Sequence, residues 1–348
     1  AYQARQLGLA FNAVLGVIMS LFLSLGAGTI LSGVGVADAL MQPAKTYLQI
    51  VGGFCILNAL IPICSSYLRA FGFSKEPLYA SIIGNVINFC LNAFFLFVLH
   101  KGVAGVATAT VISRIINLVI VVLLGAVLVK AKQHPERESN RAVMGQIIRI
   151  GLPSACETAI YNVSMTLVIR FLNQMDAQGL NVTARSYTMQ ITNFSYCVGA
   201  ALAQANAIMT GWHIGAKEYD ACDRGTKKAA VIGVIVAVIL ETVFTLCSGW
   251  IMQLFSKDPQ MVSLVGKLLA SDIVLEIGRV TNLVYGQALK TSGDAVFPVV
   301  MGACFMILCS VGGTYLFGIR LGLLAVGAYI GMTGDECVRA VGMYLRWK

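Results

Sequence analysis

Ten apolar stretches, each longer than about 18 residues, follow one another along this chain with only short polar connections between them. They run over 8–31, 45–68, 78–99, 103–129, 147–171, 186–212, 229–251, 263–289, 295–318 and 322–345. At 1.5 Å rise per residue, a helix of that length crosses a hydrocarbon core about 30 Å thick. Composition agrees: 57% of the 348 residues are hydrophobic and 12% charged, whereas soluble domains carry about 25% charged residues. Too few ionic side chains remain to cover a soluble globule. The sequence reads as an all-α polytopic membrane protein with about ten transmembrane helices. That excludes a soluble enzyme, a nucleic-acid-binding domain and a disordered chain.

The net charge of +9 would suit nucleic acid as a partner, but the basic residues sit in the short connections, as the positive-inside bias requires. With the N-terminus inside, 15 Lys and Arg fall on one face, 7 on the other and 3 (Arg114, Arg279, Arg339) within spans. Both ends and the basic stretch around 130–146 are therefore expected in the cytoplasm, in the plasma (inner) membrane of a bacterial cell. The ten cysteines lack C-x-x-C spacing and read as small buried hydrophobes. Neither H-E-x-x-H nor G-x-S-x-G occurs, and an enzyme is not expected.

A faint internal repeat follows. Leu68-Arg69-x-x-Gly72-x-x-x-x-Pro77 recurs as Leu289-Lys290-x-x-Gly293-x-x-x-x-Pro298, each pair offset by 221 residues. Repeats on this scale mark transporters, and two copies with the same orientation are related by an axis along the membrane normal. The organisation expected is an N-terminal lobe over 1–130 with four helices, a basic linker over 131–146, and a C-terminal lobe over 147–348 with six. At the repeat offset the first copy would begin 76 residues ahead of Ala1. The sequence thus reads as a 6+6 plan with its first two helices absent.

Charge within the spans carries the functional signal. Glu157, Glu241, Glu276 and Asp335, with Glu336 beside it, lie 10–13 residues into their spans, roughly 15–20 Å deep. An ionisable group there costs about 2.5–3.5 kcal/mol and belongs beside a partner, a cavity or a pathway. Asp272, Glu276 and Arg279 share one helix face, and Asp335 and Glu336 reach Arg339 at i+4 and i+3. Internal ion pairs account for part of this. The six acids nevertheless outnumber the three span arginines, which favours an interior that handles cations. Gln204 and Asn92, among other amides, can coordinate ions or bond across helices. Aromatics such as Tyr161 and Tyr196 can meet flat organic cations through cation–π contacts.

Several motifs, in order along the chain, point to a family. They are Gly151-Leu152-Pro153 opening a span, Gln204 with Gly211 and Gly215-Ala216, Lys290-Thr-Ser-Gly293-Asp294 before Pro298, and Asp335-Glu336-x-x-Arg339. Together they resemble the multidrug and toxic compound extrusion (MATE) transporters. The resemblance implies two six-helix lobes, of which this chain would supply helices 3 to 12, and export of small organic cations by antiport with H⁺ or Na⁺. It implies no further cofactor, no partner beyond substrate and lipid bilayer, and a monomer. Proton-type relatives carry an acid in helix 5, where this chain has Asn92. Sodium-type relatives use acids in helices 7 and 10, which here carry Glu157 and Glu276, with Arg279 at the matching helix-10 position.

On that basis Glu157 and Glu276 are expected to bind Na⁺ or the cationic substrate. Arg279 would be a tethered counter-charge, and Asp335, Glu336 and Arg339 a second network. Two other readings compete. A lipid-linked oligosaccharide flippase of the same architecture needs bases for its pyrophosphate, and a non-transporting fragment, receptor or scaffold would bind without cycling.

Overall fold

The computed structural model describes residues 2–34, 38–129, 139–176 and 179–348, and among them every regular element is helical. Two compact units form, Ala1–Ile147 and Ile148–Lys348.

In the first unit, α1 (Tyr2–Leu25) leads into α2 (Ala27–Val34), and α3 (Asp38–Gly53) meets α4 (Ile56–Ala70) at a bend of 41°. α5 (Lys75–Ala93) continues as a wider π-helical turn over Phe94–Val98 before α6 (Gly102–Leu128). Its core gathers Cys64, Tyr67, Leu68, Ala80 and Val121.

The second unit holds most of α7 (Asn140–Met175), then α8 (Leu180–Gly215), α9 (Tyr219–Leu246), the short α10 (Ser248–Met252) and α11 (Pro259–Thr291). α12 (Val296–Phe305) extends through π-helical turns at Met306–Val311 and Thr314–Arg320, and α13 (Leu324–Trp347) closes the chain. α11 is the hub, packed by α8, α9 and α13.

Local chemistry sets the ends of these helices. Asp258 caps α11 by accepting from the Gln260 N–H at 3.0 Å, with Pro259 at the first helical position. Asp176 holds the start of α8 by accepting from the N–H groups of Leu180 (2.8 Å) and Asn181 (3.0 Å). Burial opposes its ionisation, but these hydrogen bonds prevail and keep its carboxyl below the usual range. The repeated motif has one conformation in both units. Gly72 (φ 88°) and Gly293 (φ 101°) adopt the left-handed region that ends a helix. Phe73 N–H then donates to Leu68 O, and Asp294 N–H to Leu289 O, each at 3.0 Å. The two prolines follow in the first turn of α5 and α12.

The linker expectation needs correction at its C-terminal end, and the expected span count is not confirmed. Among the described residues, five helices are long and apolar enough to cross a membrane, or six when the bent α3–α4 pair counts as one span. The count of about ten expected from hydropathy is not confirmed by that measure. α7, α8, α11 and α13 carry the charged and polar side chains of the interior, and these lower their apolarity. The expected linker over 131–146 lies outside the described residues up to 138, and from Asn140 onward it is already α7. Large apolar side chains face outward, Phe89 and Phe97 each at 75% exposure, as a lipid-facing surface does. All ten cysteines are free.

Candidate functional site

Two apolar clusters lie along α11. Leu268, Leu269 and Leu275 belong to one with Val168, Leu172 and Tyr329; Val280, Val284 and Tyr285 belong to the other with Ala237 and Met343. Asp272, Glu276 and Arg279 fall where one gives way to the other. Lipid tails are as apolar as leucine, so packing and polar contacts, more than water exclusion, bring membrane helices together.

Close approach of α13 to α11 is made at Gly278, where a Cβ would stand 2.8 Å from Cys337 N and 2.9 Å from the Glu336 carbonyl carbon. Arg279 can therefore reach both helices. It pairs with Glu276 on its own helix and approaches Glu336 Oε1 at 3.6 Å on α13. Glu336 also accepts from Asn282 Nδ2 at 3.0 Å. One turn on, Arg339 donates to both Asp335 oxygens (2.7 and 3.1 Å) and to Glu336 Oε2 (3.0 Å). Ser310, from a π-helical turn after α12, completes Asp335 at 2.9 Å.

Two cavities flank this network. One, of about 240 Å³, is lined by Tyr161, Arg185, Tyr196, Asp272, Arg279, Asp335 and Glu336 among others. The other, of about 390 Å³, is lined by Glu157, Tyr161, Tyr196, Arg279, Lys290, Glu336 and Arg339 among others. Tyr161, Tyr196, Arg279 and Glu336 serve both.

Behind the smaller cavity, Glu241 of α9 joins Asp272 and Glu276. The three carboxylates offer oxygens within 4.8 Å of one another, and their residues are 0%, 2% and 0% exposed. This is the group among the described residues able to hold a metal ion.

The expected site residues are thus partly united. Glu276, Arg279, Asp335, Glu336 and Arg339 form one continuous network, Asp272 stands beside Glu276, and Tyr161 stands on the cavity wall. Glu157 and Glu276 take different partners, Glu276 lying with Glu241 and Asp272. Lys290, in the last turn of α11, reaches Glu157 at 2.5 Å. Gln204 lines neither cavity and is exposed. Asn92 lies in the first unit, donating to Asn88 Oδ1 at 3.0 Å while Asn88 donates to Ser113.

Sequence reasoning missed Lys290 and Arg185 as interior bases, because both were assigned to connections. α11 runs past Lys290, and α8 begins at Leu180, one turn before Arg185. Arg185 is 6% exposed. The second unit's interior therefore sets six acids against four bases and is less negative than the spans alone implied.

Comparison with known proteins gives a consistent picture. The family MatE matches residues 1–94 and 153–316. The "Uncharacterized transporter YisQ" of Bacillus subtilis is 32% identical over 354 residues, covering 100% of this chain and 77% of its own length. A "Probable multidrug resistance protein NorM" of Streptococcus pneumoniae is 24% identical, over 86% of this chain and 67% of its own. Among solved structures, a multidrug resistance MATE family transporter of the MOP superfamily in its outward-facing conformation matches with a TM-score of 0.89. It does so at 17% identity, over 99% of this chain and 77% of its own. These matches run along the whole of this chain and about three quarters of the relatives' own length.

Proposed function

The chain belongs to the MatE family of multi-pass membrane transporters, and on that premise we propose that it exports organic cations by antiport against H⁺ or Na⁺, through alternating access. Carrying this reading is the pair of cavities that share Tyr161, Tyr196, Arg279 and Glu336. Tyrosine faces attract a flat cation, worth about 0.5–2 kcal/mol each depending on desolvation. Asp272, Asp335 and Glu336 add negative charge beside them. The S. pneumoniae relative's name, a probable multidrug resistance protein, supports export. The protein works in the cell membrane with its Lys- and Arg-rich face, and both ends of this chain, in the cytoplasm.

Coupling follows from Arg279. It holds Glu276 on the closed side and stands 3.6 Å from Glu336 on the cavity side. A coupling cation or proton on Glu276 releases the guanidinium towards Glu336. Positive charge then enters the space an organic cation occupies, and the substrate is expelled. Such competition supplies the differential affinity that an exchange mechanism needs.

The test is efflux of a fluorescent organic cation from vesicles holding this chain, under a proton gradient, a sodium gradient, and neither. Acceleration by one gradient names the ion. Glu276→Gln should lose that acceleration while still folding, and normal gradient-driven efflux by the variant would sink the mechanism. A second reading, movement of an anionic lipid-linked sugar, draws on the larger cavity, where Arg279, Lys290 and Arg339 outnumber Glu157 and Glu336. It gains if neither gradient accelerates the dye.

A further inference from the structure

Glu241 has no part in the efflux mechanism above, and with Glu276 it is one of two fully enclosed acids among the described residues. It sits on α9, which contributes no side chain to either cavity. Its residue is 0% exposed, and neither carboxylate oxygen has a hydrogen-bond partner. Leaving a charge so placed is among the costliest things a membrane interior can do. Asp272 Oδ2 and Glu276 Oε2 are likewise unpartnered. An independent feature points the same way. Ser195, fully buried on α8 beside Glu241, also leaves its hydroxyl oxygen without a partner.

These side chains from three helices thus carry five unpartnered oxygens: both of Glu241, and one each of Asp272, Glu276 and Ser195. The acids' ligand atoms lie within 4.8 Å of one another, about twice the metal–oxygen distance of a hard cation. We infer that Glu241, Asp272, Glu276 and Ser195 form a dehydrated Na⁺ site at the α8–α9–α11 junction, with Glu241 as its principal ligand.

The chemistry narrows the occupant. An all-oxygen donor set selects a hard cation over a soft transition metal. Mg²⁺ keeps several waters, for which fully enclosed carboxylates leave no room, and Ca²⁺ takes 6–8 oxygens where five are offered. A single proton would satisfy one oxygen and leave the others orphaned. Arg279 engages Glu276 from the other side, and one monovalent cation bound among the three carboxylates takes over from it as their counter-charge. Asp272 belongs both to this cluster and to the wall of the 240 Å³ cavity, which provides the way in. The site rests on this geometry; its role in coupling rests on the antiport reading.

The experiment is a titration of the purified chain's thermal unfolding midpoint with NaCl, at ionic strength held constant by choline chloride, with KCl and CaCl₂ as parallel titrants. Expected is a saturable rise with Na⁺ alone. Glu241→Gln should raise the half-saturating Na⁺ concentration at least ~10-fold, and Ser195→Ala should raise it several-fold while retaining every carboxylate. Glu218→Gln, at an exposed pair with His213 outside the site, should leave it unchanged. Equal curves in NaCl and choline chloride would overturn the proposal, as would equal responses to Na⁺ and K⁺, or to Ca²⁺ in preference to Na⁺. So would an unaltered Na⁺ midpoint in Glu241→Gln or in Ser195→Ala; should Glu241→Gln fail to fold, Ser195→Ala decides. The titration needs neither substrate nor gradient. A Na⁺ response without gradient-driven efflux would remove the antiport reading and keep the site, and efflux without a Na⁺ response would do the reverse.

Discussion

Replacing Arg339 by methionine removes the cation that joins two buried carboxylates while keeping most of the side chain's apolar bulk. Arg339 is 3% exposed. It makes two hydrogen bonds to Asp335 and one to Glu336, at 2.7, 3.1 and 3.0 Å. At about 1.5–3 kcal/mol for each bond to a charged group, a simple sum would be about 4.5–9 kcal/mol. Neither acid is stripped bare, however. Asp335 keeps Ser310, and Glu336 keeps Asn282 and the more distant Arg279. The lower range measured for breaking a buried pair, about 3–5 kcal/mol, is therefore expected. In a body of about 200 residues that lowers the unfolding midpoint by about 6–20 °C. Asp335→Asn in the same background should recover part of the loss, giving a coupling of about 1–3 kcal/mol. The assay is thermal unfolding of the purified proteins in one detergent, read by circular dichroism. A single variant within about 1 °C of the parent, or a double variant that merely adds the two losses, would refute the idea that Arg339 compensates this acid pair.

Other expectations follow from the same geometry. Gly278→Ala places a methyl 2.8 Å from Cys337 N and should cost about 1–3 kcal/mol by forcing α11 from α13; an unchanged unfolding midpoint would contradict that close approach. Glu157→Gln and Lys290→Gln should each weaken the α7–α11 tie, and the double variant should be no worse than the poorer single one, which a double-mutant cycle on stability checks. Asp176→Ala should cost about 1–2 kcal/mol at neutral pH, through the two N–H groups left without an acceptor at the start of α8. Because the folded carboxyl titrates below its unfolded value, its contribution is complete above about pH 4 and is lost as pH falls through the lower folded value. The stability gap between parent and variant should accordingly close in acid, and a gap independent of pH would count against the assignment.

Much of the architecture was legible in the sequence because lipid imposes a one-dimensional rule: backbone polar groups must be satisfied within each segment, so apolar runs become helices. The repeat was legible for a related reason. A glycine forced to positive φ and a proline in the next first turn are local requirements, and Gly72 with Pro77 and Gly293 with Pro298 meet them identically in each unit. Spacing along one helix also placed Asp272, Glu276 and Arg279 on one face, and Asp335 and Glu336 beside Arg339. Partnership between helices lay beyond such rules. Hydropathy put Lys290 in a connection, yet a long flexible side chain in the last turn of α11 reaches back to Glu157. Glu241 read as an acid without company, and only the packing of α8, α9 and α11 brings it to Asp272, Glu276 and Ser195. Local periodicity and lipid solvation thus determined which residues are helical and which charges are buried. Which buried charge meets which was decided by three-dimensional packing, where a glycine such as Gly278 sets how near two helices come.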